Sequence, residues 1–94
     1  MERQYRIEPK VGGDTDFVAT AARIAAFAEA TARILVEADA TVSAEIMGFR
    51  SNDDEKHGVL IATFSVTTAN LGDELVDSCV RRCATNAKLL ATRL

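Results

Sequence analysis

The period of the apolar residues switches back and forth along this chain, between about two and about 3.6, and that switching limits the possible folds more than any other feature. In residues 16–38, Phe17, Ala21, Ile24, Ala28, Thr31, Leu35 and Ala38 recur at alternating steps of four and three. This is one stripe of an amphipathic helix, widened by Phe27 and Ile34. Before it, residues 3–8 alternate Tyr5 and Ile7 with Gln4, Arg6 and Glu8, a half-buried strand that Pro9 ends. After it, residues 41–49 alternate Val42, Ala44 and Ile46 with Ser43, Glu45 and Met47, and residues 59–67 set Leu60, Ala62, Phe64 and Val66 on one face. The polar run 51–58 between them makes the pair a hairpin. Asn70 then serves as an N-cap, and a last helix runs to near the C-terminus. Its stripe is Val76, Val80, Cys83, Ala87, Leu90 and Leu94, with Leu75 and Cys79 beside it.

These elements predict one α+β domain over residues 1–94, ordered β-α-β-β-α, with a three-stranded sheet and both helices packed on one face. The order resembles half of many ferredoxin-like folds, without a fourth strand, and such a likeness carries no function. The 94 residues, 48% hydrophobic and 27% charged, suit a single core. Arg23, Glu29, Arg33 and Glu37 interrupt the apolar stretches, so no segment is expected to span a bilayer. Two cysteines are too few for a disulfide framework, and residues 1–6 lack the apolar region of a signal peptide. A cytoplasmic setting is expected. A net charge of −3 speaks against direct nucleic-acid binding.

The residue types that carry chemistry are sparse. Cys79 and Cys83 fall in the apolar stripe and read as core, with a spacing unlike a redox C-x-x-C. His57 with Asp53, Asp54 and Glu55 matches no standard metal geometry, and the acidic run lacks the spaced ligands of a calcium loop. Gly12-Gly13 precedes a helix, but Asp14 and Asp16 would repel a phosphate there. With one histidine, set in a loop, no nucleophile–base constellation forms. The chain is expected to be no enzyme and to need no cofactor.

Residues pointing away from the helices are more telling. Met47, Phe49, Val59 and Ile61 are apolar where a solvated sheet face should be polar. Fully buried, four such side chains contribute about 6–12 kcal/mol, against an association cost of about 4–15 kcal/mol. They are the expected partner-binding surface, framed by Arg50, Asp53, Asp54 and Glu55. A bulge at Gly48 would instead return Phe49 to the core. The expected function is a non-catalytic protein-binding module, a small regulator, adaptor or inhibitor of a protein complex, including one that handles nucleic acid. It is expected to be homodimeric and to bind a further, unidentified protein. The alternative is a small-ligand-binding oligomer with a pocket at the sheet face, reached by Arg6 or Arg50.

Overall fold

Alternation at the start of the chain builds β1 (Glu2–Pro9), in which Arg3, Tyr5 and Ile7 are buried and Gln4, Arg6 and Glu8 are half-buried. A computed structural model describes residues 2–9, 17–52 and 59–94, with their side chains except at 51, 52 and 59. The Gly12-Gly13-Asp14 segment, where phosphate binding is not expected, and the acidic loop with His57 lie outside the described residues.

The 3.6-residue period gives α1 (Phe17–Ala38), but its buried face is turned from the expected stripe. Thr20, Ile24, Phe27, Thr31 and Leu35 are buried, while Phe17 and Ala38 are exposed. Ring size decides this. Phe27 stands edge-on to Phe64 with centroids 5.1 Å apart, so the bulky ring takes the centre and alanines move to the flank. Thr31 fits among apolar neighbours because its hydroxyl donates to the Phe27 carbonyl at 2.7 Å.

The hairpin comprises β2 (Ser43–Asn52) and β3 (Val59–Thr67). Their antiparallel register pairs Ala44 with Val66 and Ile46 with Phe64, then slips between Ile46 and Gly48. That slip is a bulge at Met47, and beyond it Phe49 faces Ala62 and Arg50 faces Ile61.

The chain then departs from the expected order. The last helix, α2 (Asp73–Asn86), is shorter than expected and is capped by Gly72 rather than Asn70. It stops at a turn where Lys88 takes the left-handed conformation at φ 59°. Leu89–Arg93 then forms a fourth strand, β4, antiparallel to β1, with Leu89 opposite Pro9 and Ala91 opposite Ile7. Pairing decides this, because without β4 the second edge of β1 would have no ladder partner. Leu89 becomes fully buried, whereas Leu90 and Leu94, expected on a helix stripe, are exposed.

The protein is therefore α+β, with a four-stranded antiparallel sheet ordered β2-β3-β1-β4 and two helices, the ferredoxin-like arrangement. Tyr5, Ile7, Ala62, Phe64 and Val66 of the central strands meet Ile24, Phe27, Leu35, Val76 and Val80 of the helices in one core. No helix among the described residues is long and apolar enough to cross a membrane.

Candidate functional site

The bulge at Met47 divides the surface expected from sequence. Beyond it Phe49 lies on the same side of the sheet as Ala62, the helix side, yet stays 49% exposed at the sheet margin. Met47 is 55% exposed at the bulge itself. Ile61 lies on the opposite face across from Arg50 and is only 5% exposed. Met47, Phe49 and Ile61 thus do not make one apolar face. The side chain of Val59 and residues Asp53, Asp54 and Glu55 lie outside the described residues. The open face of the sheet is largely polar, with Gln4, Arg6, Glu45, Thr63 and Ser65 in register across its strands.

A more coherent surface lies beside Phe49. Strand β2 is an edge of the sheet, and among the described strands none pairs with its outer row of backbone groups. Helix α1 packs over β2 and β3 on that side, and α2 packs against β4 on the other. The flank of α1 towards α2 carries Arg23, Ala26, Ala30 and Ile34, which line the groove between the two helices. At about 100° per residue the opposite flank, above the free edge of β2, carries Val18, Ala21, Ala25, Ala28, Ala32 and Val36. Val18, Ala25 and Val36 are exposed and the other three are half-buried. No charge interrupts this stripe. A helix apolar well beyond its core-facing side has a second face to cover, and small side chains let another backbone come close. The sequence reading placed the surface elsewhere. The signal was that a single buried stripe left so many apolar positions over.

The polar residues of the core serve architecture. Asp39, at the end of α1, accepts hydrogen bonds from the Thr41 amide and hydroxyl at 3.0 and 2.8 Å. Its other oxygen accepts from the Thr68 hydroxyl at 3.1 Å and the Asn70 amide at 3.2 Å. These bonds, those from Thr41 foremost, hold its pKa down at about 2. The carboxylate clamps the α1–β2 turn to the β3–α2 turn, and this is what Asn70 does in place of capping α2. On β1, the buried Arg3 pairs with Asp73 and Tyr5 donates to Asp77. Arg93 of β4 bonds Asp77 at 3.1 Å and reaches Asp73 at 3.7 Å. The network ties α2 to β1 and β4. Cys79 is half-buried and Cys83 buried, both as free thiols. Burial, and then the neighbouring Cys83, raises the Cys79 thiol to about 11, so it stays protonated at neutral pH. Among the described residues no three His, Cys, Asp or Glu side chains gather as metal ligands would.

No protein-family model matches this sequence, and no curated protein matches it. Solved structures do. An amidase of the hydantoinase/carbamoylase family from Burkholderia phymatum is similar at TM-score 0.62 and 12% identity, over 99% of this chain and 27% of that one. Amidases of the same family from Burkholderia vietnamiensis and Burkholderia multivorans are similar at TM-scores 0.60 and 0.59 and identities of 15% and 14%, each over 99% of this chain and 26% of theirs. The chain thus spans about a quarter of the length of these proteins. Identity this low establishes a shared fold only.

Proposed function

We propose that this chain is a non-catalytic protein-binding module that self-associates through the free edge of β2 and the adjoining flank of α1. The observation that carries the reading is the uncharged stripe Val18, Ala21, Ala25, Ala28, Ala32 and Val36 beside an edge strand. An edge strand offers ladder hydrogen bonds and an alanine-rich helix offers close packing, so a second copy related by a two-fold axis can use both at once. Phe49, exposed at the same margin, adds an aromatic anchor. Arg50, which the sequence reading set beside Phe49, is exposed on β2 and lies on the opposite face of the sheet.

The likeness to about a quarter of each amidase favours a more specific version of this reading. Here the module works alongside an amide-hydrolysing catalytic unit, as adaptor or regulator, and supplies assembly rather than chemistry. Light scattering over a concentration series tests the proposal. A dimer is expected for the natural sequence, and a folded monomer for Ala25→Arg and for Phe49→Asp. A natural chain that stays monomeric at about 100 μM, far above a micromolar dissociation constant, would refute it.

A further inference from the structure

A second surface is separate from the β2 edge. A groove of about 520 Å³ opens on the outer side of the helix layer between α1 and α2. A neighbouring hollow of about 280 Å³ continues it, because Ile34 and Cys83 line both. Along the joined groove Ala30, Ile34, Leu75, Cys79 and Cys83 form the floor and walls. Ile34 and Leu75 are 49% and 50% exposed, large side chains left half in water on a helix layer whose core lies beneath them.

The charge along this groove is one-sided. Lys88 lines its wider end and Arg82 its narrower end, and no described carboxylate lines either part. This occurs in a chain with 14 acidic and 11 basic residues. Segregation against the net charge favours an anionic occupant. The shape narrows the choice further. Ile34 and Leu75 stand half exposed in an open trough, whereas an acyl chain is best held by an enclosing cavity. From Arg23 to Ala38 the groove follows α1 for about 22 Å, the length of about four helical turns.

We infer that the α1–α2 groove docks an acidic amphipathic helix of a partner protein. The apolar ridge of that helix seats on Ile34 and Leu75, and its flanking carboxylates meet Arg82 and Lys88. This rests on the self-association proposed above, which places a second copy on the other flank of α1 and leaves the groove to a different partner.

The test is fluorescence anisotropy with a synthetic, fluorescein-labelled helix of about 16 residues. It carries leucine on one face and glutamate on the others, and a lysine-for-glutamate version serves as control. The acidic peptide is expected to bind at about micromolar affinity and the basic one at least about tenfold more weakly, with the difference shrinking at high salt. Leu75→Asp should abolish binding, and Arg82→Glu should weaken the acidic peptide about tenfold while improving the basic one. Both positions are exposed, so thermal melts should show these variants folded. Ala25→Arg, which tests self-association, should bind the peptide unchanged. Equal binding of the two peptides, or binding that survives Leu75→Asp, would overturn the inference. So would displacement of the peptide by palmitate at lower concentration, which would assign the groove to an acyl ligand. Loss of self-association in Leu75→Asp would assign it to a second copy and overturn it as well.

Discussion

At the residue scale, three positions carry consequences that can be measured. Lys88 holds φ at 59°, a region that costs a residue with a side chain about 1 kcal/mol and glycine almost nothing. Lys88→Gly should therefore stabilise the protein by about 0.5–1 kcal/mol, less if the freed unfolded chain offsets part of it, as read by urea melts. Tyr5 donates its hydroxyl to Asp77 inside the core, and burial first, then that bond, raises the phenol well above its ordinary value. The folded state holds this proton more tightly than the unfolded state. The contribution is therefore complete below pH of about 10 and falls away as pH rises further. Tyr5→Phe should cost about 1–2 kcal/mol at neutral pH and flatten the alkaline limb of the stability profile. Asp39 has the opposite sign. Its carboxylate is held down at about 2, so its contribution is present above about pH 4 and is lost as pH falls towards 2. Asp39→Asn should destabilise the protein at pH 7 and shrink the acid-induced loss, which thermal melts at pH 5, 3 and 2 would show.

At the element scale, the last strand is the least secure part of the local code and one of the most important in the fold. Leu89–Arg93 contains nothing that forbids a helix, and its Leu90 continues the helical stripe of α2. It becomes a strand because β1 offers an unpaired edge and because Leu89 then fills the core. Leu89→Ala should cost about 2–4 kcal/mol, consistent with removing a fully buried leucine, whereas Leu90→Ala should cost little because Leu90 is exposed. A comparison of the two by chemical denaturation separates strand from helix, since a continued helix would bury Leu90 rather than Leu89.

At the scale of the whole molecule, the order β2-β3-β1-β4 puts β1 and β3 inside and leaves β2 as an edge. Amide exchange should therefore be slowest in β1 and β3 and fastest in the outward-facing amides of β2. If a second copy pairs along that edge, those β2 amides should slow as concentration rises, with no change elsewhere in the sheet. The sequence by itself determined the element types wherever the period was strong. It set β1 by Tyr5 and Ile7, α1 by its long helical repeat, and β3 at the bounds observed, together with the inward set Ala44, Ile46, Ala62, Phe64 and Val66. These features come from neighbours a few residues apart, which is the range over which hydrophobic periodicity acts. The sequence placed Ile24, Phe27, Thr31 and Leu35 on the buried side of α1. The tertiary structure decided how far that face turns, bringing Thr20 in and leaving Phe17 and Ala38 out, because the Phe27 ring takes Phe64 as its neighbour. It decided that Phe49 turns to the helix side while Ile61 does not, because the bulge at Met47 shifts the register on one strand only. It also decided that residues after Lys88 extend instead of coil, because Ala91 must pair with Ile7, a residue from the other end of the chain that no local pattern can supply.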